Sequence, residues 1–341
     1  MNMKSYVLRA ASGNEGQGQR GASSVLELVD LPVPQPGPRQ LLMRVHAASL
    51  NRGEFIPGGL LAKGGAAKAA GMEAAGVVVA VGSDAAPWQV GHSVMGRCAG
   101  AFLEFAVIDV REAMAKPAAL SFDESAAVPL TFLVVHDMLV GQGRLQAGQW
   151  LLVTGVSSGV GVASLQMAKA LGARVIGSSG SAEKLTRLKA LGLDIGLCTR
   201  AGDFHAAVMA ATQEQGVNLV VNTVGGSVFA ECLRCLAFEG RLATVGYVDE
   251  VLRAEIDIQA LHVKRLTLFG VSNKMRSAEQ RAAGVPAFVH DVMPALADGR
   301  LRPLIDSTFP FHQLAAAKAH MEANAHLGKI VLSMAELHEK I

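Results

Sequence analysis

The clearest pattern of apolar and polar positions lies between Leu151 and Ser179. The apolar run 151–153 predicts a strand that is buried on both faces, because no polar side chain interrupts it. After a glycine-rich turn, apolar residues recur at helical spacing and predict a helix that packs one stripe against a sheet. These residues are Val162, Leu165, Ala168 and Leu171. Gly172 predicts the end of this helix, and the segment 174–176 predicts a second strand.

The turn between the first strand and the helix consists of small residues, which let the backbone approach a ligand closely. The free N–H groups and the positive dipole end of the following helix favour a pyrophosphate there. Of the dinucleotide fingerprint G-x-G-x-x-G the chain keeps only the last glycine, so the motif alone is equally compatible with a structural turn. The order strand, turn, helix, strand favours a dinucleotide site. The predicted cofactor contacts here are Ser158, Gly159, Val160 and Gly161.

The residues after the second strand bear on the choice of cofactor. An acidic residue at this place hydrogen-bonds the ribose of NAD. This chain instead has serines and glycines at 177–181, followed by Lys184 and Arg187, with no carboxylate before Glu183. Because hydroxyls and cations suit a ribose 2′-phosphate, we predict NADPH, held by Ser179 and Lys184. The alternative is that Lys184 and Arg187 only form the solvated face of the next helix.

Composition limits the class of protein. At 341 residues the chain exceeds what one hydrophobic core usually supports, so two domains are expected. Half of the residues are hydrophobic and 18% are charged, which is typical of a compact, soluble α/β protein. A net charge of +2 argues against a nucleic acid or an anionic membrane as partner. No apolar run is long enough to span a membrane, and the N-terminus turns polar without the apolar core of a signal peptide, so we expect a cytoplasmic protein.

The four cysteines are too few and too scattered for a disulfide framework. Cys232 and Cys235 have the C-x-x-C spacing of some metal and redox sites. No second pair completes a set of four ligands, and the surrounding pattern predicts a helix that packs on the sheet. We therefore interpret this pair as structural.

The first third of the chain is rich in short predicted strands and turns, at 3–9, 25–29, 41–48 and 71–82. Three segments, Ala48–Glu54, Gly71–Gly82 and Thr154–Gly161, resemble the medium-chain dehydrogenase/reductase superfamily, and most closely its zinc-independent quinone oxidoreductase, or zeta-crystallin-like, branch. Zinc alcohol dehydrogenases have a cysteine where Asn51 stands and a histidine where Met72 stands, so a catalytic metal is not expected.

The resemblance implies an α/β fold of two domains. A GroES-like β-rich catalytic domain would comprise 1–126 and 273–341, and a Rossmann domain with a doubly wound parallel sheet would comprise 127–272. In relatives the segment Val245, Gly246 and Tyr247 lines the nicotinamide. The strand that contains Phe269 and Val271 meets the nicotinamide amide, and its edge pairs with the same strand of a second subunit, which implies a homodimer.

The resulting hypothesis is that NADPH delivers hydride to a quinone or to the β-carbon of an enone. Such acceptors need no metal, because hydrogen-bond donors can stabilise charge that spreads over a conjugated oxygen. Asn51 and Tyr247 are the candidate donors, although Asn51 could equally satisfy local backbone. Two alternatives are an NADPH-binding protein without turnover and an alcohol dehydrogenase. The substrate cleft is expected to depend on Phe55, Ile56, Leu60 and Leu61.

Overall fold

The structure is a computed structural model that describes residues 1–10, 24–55 and 67–338. Ile56, Leu60 and Leu61 lie outside the described residues. The strands are β1 Asn2–Ala10, β2 Ser24–Pro32, β3 Gln40–Ser49, β4 Lys68–Ala69, β5 Glu73–Val81, β6 Ser93–Arg97, β7 Phe105–Asp109, β8 Ala113–Ala115, β9 Trp150–Thr154, β10 Arg174–Ser179, β11 Ile195–Cys198, β12 Val217–Asn222, β13 Leu236–Thr244, β14 Thr267–Gly270, β15 Ile305–Pro310 and β16 Lys329–Ser333. The helices are α1 Phe122–Ala126, α2 Thr131–His136, α3 Gly159–Ala170, α4 Ala182–Lys189, α5 His205–Ala211, α6 Phe229–Arg234, α7 Ile258–Val263, α8 Ala278–Ala282, α9 Val285–Asp291, α10 Met293–Ala297, α11 Leu314–Glu322 and α12 Ala335–His338.

The chain divides into two compact units. The first comprises Met1–Leu130, Arg276–Asp298 and Ile305–Ile341, and the second comprises Thr131–Met275 and Gly299–Leu304. The domain boundaries predicted from the sequence lie between residues 126 and 127 and between residues 272 and 273. Within the described ranges, no helix is long and apolar enough to cross a lipid bilayer.

The first unit is built on a seven-stranded sheet in the order β15-β16-β3-β5-β6-β8, with β7 also paired to β3. Its central strand β3 is buried along most of its length because β5 and β7 both pair with it. Gly76 of β5 lies so close to the carbonyl of Arg44 in β3 that a side chain at 76 would collide with it. The largest enclosed side chains of this core include Met43, Phe102 and Ile108.

The end of the chain completes this sheet. Strand β16 pairs antiparallel with the last residues of β3, so that Val331 lies opposite Ser49. Strand β16 also pairs in parallel with β15. A second, three-stranded sheet has the order β2-β1-β4. The first unit therefore needs strands from both ends of the sequence.

The second unit contains one parallel sheet of six strands in the order β11-β10-β9-β12-β13-β14. Numbered from β9, this is the 3-2-1-4-5-6 order of a doubly wound nucleotide-binding sheet. The central strand β9 has neighbours on both sides, and Leu151, Leu152 and Val153 are fully buried. The strand order reverses between β9 and β12, and ligands bind beyond the carboxyl ends of the strands at such a point. The predicted fold class is confirmed.

Candidate functional site

The turn after β9 forms the first part of the candidate nucleotide site. Ser158 caps α3, and its Oγ accepts a hydrogen bond of 3.1 Å from the N–H of Gly161. A Cβ at Gly161 would lie 2.5 Å from the carbonyl oxygen of Gly155 and 2.7 Å from the backbone of Val156, so only glycine fits there. Ser158, Gly159 and Val160 remain partly exposed, whereas Gly161 is buried. Gly161 therefore lets the helix pack closely, and the three residues before it stay accessible to a ligand.

The end of β10 lies beside this turn. Ser179 is buried, and its Oγ is 3.3 Å from the Oγ of Ser157. The same Oγ accepts a hydrogen bond from the N–H of Ser181, which in turn caps α4 by accepting from the N–H of Lys184. The structure thus brings Ser179 next to the turn, at the start of the helix that carries Lys184. Arg187 is exposed further along α4.

Arg200 is a residue of this site that the sequence reasoning missed. It follows β11, and its side chain crosses the backbone of Gly180: a Cβ at 180 would lie 2.6 Å from Cγ and 2.9 Å from Cδ of Arg200. Among the described residues no carboxylate lies within ion-pair distance of its guanidinium. Because β11 is the parallel neighbour of β10, with Cys198 opposite Ser179, a cation just beyond β11 reaches the same edge. The order of the strands in the sheet, which the sequence pattern does not specify, would have identified Arg200 as part of this site.

Asn222 organises the loops after β12 and β13. Its Oδ1 accepts hydrogen bonds from the N–H groups of Val224 and Gly225, each at 3.0 Å, and its Nδ2 donates to the carbonyl of Gly225. Its backbone carbonyl accepts from the N–H of Val245 at 3.0 Å. The predicted nicotinamide segment 245–247 therefore begins beside the end of β12, at the carboxyl edge of the sheet. Tyr247 is 45% exposed.

Phe269 and Val271 lie at the end of the last strand of this sheet. Phe269 is opposite Ala243 of β13 and is half-buried, and Val271 follows β14 and is buried. Both are on the second unit with Tyr247, whereas Asn51 is on the first. The roles assigned to all these residues stay predictions.

Asn51, which is partly buried, joins four buried polar side chains in the first unit. The group, here called the polar cluster, consists of Ser49, Asn51, Glu54, Glu73 and Lys329. Glu73 is fully buried, and its Oε1 accepts from the Oγ of Ser49 at 2.5 Å, from Nδ2 of Asn51 at 2.8 Å and from Nζ of Lys329 at 3.0 Å. Lys329 is 5% exposed and also donates to Oδ1 of Asn51 at 2.8 Å. The buried carboxylate and ammonium are thus paired and hydrogen-bonded, as buried charges require.

The amide of Asn51 is engaged within this cluster. Its Nδ2 donates to Glu54 at 3.0 Å as well as to Glu73, while its Oδ1 accepts from Lys329. An amide nitrogen carries two hydrogens, so both donors are directed at carboxyl groups. Three ionisable side chains of the polar cluster therefore engage this amide. Sequence reasoning named Asn51 but missed Glu73 and Lys329, which no local pattern links to it.

Glu54 is the last residue of the 3-10 turn Arg52–Glu54 and is 2% exposed. The pKa of its carboxyl is raised to about 8, chiefly by burial and also by the charge of Glu73, while the hydrogen bonds from Asn51 and the charge of Lys329 act in the opposite direction. At neutral pH the folded chain therefore holds Glu54 mainly as the protonated acid. With Glu54 neutral, the charges of Glu73 and Lys329 balance within the polar cluster.

The residues of the first unit do not fit a catalytic zinc. Asn51 and Met72 offer neither thiolate nor imidazole, and Cys98 is a buried thiol whose pKa is raised by burial. Over the described ranges, no three His, Cys, Asp or Glu side chains come together as a metal site. Cys232 and Cys235 are free, buried thiols of the second unit.

Two family profiles match the chain: the alcohol dehydrogenase GroES-like domain over residues 37–118 and the zinc-binding dehydrogenase domain over residues 159–285. They fall on the β-rich first unit and on the parallel sheet of the second. The chain belongs to the medium-chain dehydrogenase/reductase superfamily. Members of this superfamily are oxidoreductases. The superfamily predicted from the sequence is confirmed.

Solved structures of the superfamily match nearly the whole chain. A quinone oxidoreductase of Pseudomonas syringae pv. Tomato DC3000 is 26% identical, with a TM-score of 0.83 over 97% of this chain and 99% of that one. Mycobacterial Rv1454c in complex with NADPH is 26% identical, with a TM-score of 0.82 over the same shares. The CurK enoyl reductase is 25% identical, with a TM-score of 0.82 over 96% of this chain and 99% of that one.

Among sequence relatives, the spectinabilin polyketide synthase system protein NorB of Streptomyces orinoci is 32% identical over 323 residues. The match covers 92% of this chain but 14% of NorB. The chain thus spans about a seventh of the length of this relative.

Proposed function

We propose that this chain is an NADPH-dependent oxidoreductase that transfers hydride to a quinone or an α,β-unsaturated carbonyl compound. The observation that carries the proposal is the arrangement at the end of β10, where Ser179, Arg200 and the start of α4 lie beside the glycine turn. The likeness to a quinone oxidoreductase and to an enoyl reductase supports the two acceptor classes. The likeness to a protein solved with NADPH supports the cofactor.

The preference for NADPH over NADH follows from charge. A 2′-phosphate beside Ser179 would meet hydroxyls and the guanidinium of Arg200, and Arg is the side chain best shaped for a phosphate. The structure records no ion pair between Arg200 and a carboxylate of the described chain, so phosphate binding has no existing pair to break. A hydrogen bond to a charged group contributes roughly 1.5–3 kcal/mol, which corresponds to about 10- to 100-fold in affinity.

When bound, NADPH supplies the hydride. The chain itself would hold the diphosphate at the N-terminus of α3, beside a turn that admits no larger residue at 161. The exposed hydroxyl of Tyr247 is the candidate donor to the acceptor oxygen. The proton of Glu54 is enclosed in the polar cluster, so we assign the acceptor's proton to water.

The test measures NADPH and NADH oxidation with 1,4-benzoquinone, 9,10-phenanthrenequinone and 3-penten-2-one. We expect turnover with at least one acceptor and a preference for NADPH. In Arg200→Gln the KM for NADPH should rise about tenfold or more while the KM for NADH changes less than twofold. Arg187→Gln, which removes an exposed cation of α4, is the matched control and should change neither. Equal effects on both cofactors would contradict the role of Arg200.

A second candidate function is NADPH binding without turnover. One observation favours it: both amide hydrogens of Asn51 are directed at Glu54 and Glu73, so this side chain has no spare donor for an acceptor. Tight NADPH binding without oxidation by any of the three acceptors would establish this reading. Absence of NADPH binding would exclude both functions.

We further propose a homodimer formed through β14. This strand is one edge of the parallel sheet, and edge strands offer unpaired backbone groups to a second chain. Nearby segments of the same unit expose large apolar side chains: Val248 at 53%, Leu252 at 65%, Ile258 at 68% and Val263 at 62%. Light scattering should give twice the chain mass, and Ile258→Glu should give the monomer. A monomeric wild-type protein at micromolar concentration would refute the proposal.

A further inference from the structure

Two arginines of the first unit share one carboxylate. Arg97, at the end of β6, has Nη1 3.7 Å from Oε2 of Glu112, and Arg281, on α8, has Nε 3.4 Å from Oε1 of Glu112. The side chain of Glu112 is 9% exposed, and those of Arg97 and Arg281 are 18% and 24% exposed. The group therefore carries one excess positive charge in a largely enclosed place.

The donors of this group are poorly satisfied. The Nε atoms of Arg97 and Arg281 are both buried, and neither has a hydrogen-bond partner among the described residues. Within the described ranges, the hydrogen bond recorded for the two guanidinium groups runs from Nη1 of Arg281 to the carbonyl of Arg276, at 2.8 Å. A buried donor without a partner loses its hydration and gains no bond in return, so two such donors favour a ligand with acceptor oxygens.

The two cations also repel each other. Burial, and then the charge of Arg281, lower the pKa of Arg97, while Glu112, Cys98 and Glu54 act in the opposite direction. One carboxylate held outside hydrogen-bond geometry does not neutralise two guanidinium groups. A second carboxylate placed between them would accept from both forks and remove the excess charge.

A neighbouring arginine shows the contrast. Arg111 binds Asp109 through two parallel hydrogen bonds, Nε to Oδ1 at 2.9 Å and Nη2 to Oδ2 at 2.7 Å. This is the bidentate geometry that satisfies a guanidinium fork. Arg97 and Arg281 lack such a partner within the described chain.

The position of Arg97 connects the pair to the polar cluster. Arg97 lies directly opposite Glu73 in the antiparallel pairing of β5 and β6. Opposite residues of antiparallel strands project from the same face of the sheet. Arg97 therefore projects from the same face of the sheet as Glu73, which accepts a hydrogen bond from Asn51.

We propose that Arg97 and Arg281 together bind a carboxylate group, contributed either by a small organic acid or by an acceptor that carries one. Only the second source rests on the proposed function. In both cases the carboxylate accepts hydrogen bonds from the two guanidinium groups and takes the place opposite Glu112.

The first experiment measures acetate binding by calorimetry and by thermal shift at constant ionic strength, with chloride as the reference anion. We expect wild-type protein to be stabilised by acetate relative to chloride, and Arg97→Gln and Arg281→Gln to bind acetate at least tenfold more weakly. Arg111→Gln is the control and should bind as wild type does.

Glu112→Gln should bind more tightly, because it removes the competing carboxylate. If Arg97→Gln does not fold, Arg281→Gln and Glu112→Gln decide the question. No stabilisation of wild type by acetate, or equal binding by all variants, would overturn the proposal.

The second experiment separates the two sources. It compares kcat/KM for 3-penten-2-one with that for trans-4-oxo-2-pentenoate, which replaces a methyl group of the same enone by a carboxylate. If the acceptor supplies the carboxylate, Arg281→Gln should lower kcat/KM for the acid at least tenfold and leave the neutral ketone within twofold. If Arg281→Gln and wild type give the same ratio of kcat/KM for the acid to kcat/KM for the ketone, and wild type still binds acetate, the ligand is a free organic acid. If the protein reduces neither enone, this result counts against enone reduction as the proposed function. The acetate measurements would still show whether Arg97 and Arg281 bind a carboxylate.

Discussion

Replacing Lys329 by Met is the sharpest test of the polar cluster. The substitution keeps a long, flexible side chain but removes the ammonium that Glu73, Asn51 and the carbonyl of Leu50 all contact, at 3.0, 2.8 and 3.0 Å. Glu73 has no exposed surface, so water cannot replace the lost charge. The variant therefore leaves a carboxylate buried without its counter-ion.

Removal of one partner of a buried ion pair costs roughly 3–5 kcal/mol. For a domain of about 150–250 residues, each kcal/mol lowers Tm by about 2–4 °C, so Lys329→Met should lower the Tm of the first unit by roughly 6–20 °C. Glu73→Gln should cost a similar amount, because it leaves the ammonium buried. The double variant carries no buried charge and should be more stable than the sum of the single losses indicates, by about 2 kcal/mol or more.

The assay is calorimetric or urea-induced unfolding of the four proteins of this double-mutant cycle at pH 7. Lys4→Met is the matched control, because Lys4 pairs with Asp30 at 2.8 Å but the two side chains are 48% and 55% exposed. Such a surface pair contributes at most about 1 kcal/mol. A loss below about 1 kcal/mol for Lys329→Met, or additive losses in the double variant, would refute the reasoning.

Three further predictions follow from groups described above. Because the pKa of Glu54 rises from 4.5 to about 8 on folding, the folded chain retains a proton between these pH values that the unfolded chain has released. Stability should therefore fall as pH rises through this window, by at most roughly 5 kcal/mol, and Glu54→Gln should flatten the profile in urea titrations; an unchanged slope would contradict the raised pKa. Gly161→Ala should weaken NADPH binding at least tenfold in calorimetry, because the Cβ of the alanine would lie 2.5 Å from the carbonyl oxygen of Gly155. If the variant binds NADPH with wild-type affinity, the turn does not hold the cofactor. In a thiol titration of native protein, exposed Cys198 should react rapidly. Burial raises the pKa values of Cys232 and Cys235, so these two thiols should react only on unfolding. Rapid reaction of three thiols would be inconsistent with the burial of this pair.

The nucleotide-binding half of the fold was predictable because its signal is local. The strand, turn and helix around Gly161 follow one another in sequence, and each has its own pattern of apolar spacing or small residues. The cap that Ser158 provides is also a local feature. Arg200 was not predictable in this way, because its place beside Gly180 depends on β11 being the neighbour of β10 in the sheet.

The first unit shows the limit more clearly. Glu73 and Lys329 are separated by 256 positions and meet only through the pairing of β3 with β5 and with β16. Nothing in the pattern around either residue marks it as buried and charged. The same holds for Arg97 and Arg281, which belong to a strand and to a short helix far apart in the sequence. Such contacts follow from the topology, which single-sequence patterns do not specify.

The pairing of β16 with β3 has a consequence for synthesis on the ribosome. Translation delivers the strands from the amino end, so β3 and β5 emerge with Glu73 long before Lys329 exists. All six strands of the parallel sheet are made in that interval, and the second unit can acquire its sheet while the first still lacks β15 and β16. During that interval a nascent chain must keep the carboxylate of Glu73 hydrated or protonated, and the first unit is completed only when the late strand arrives with its ammonium.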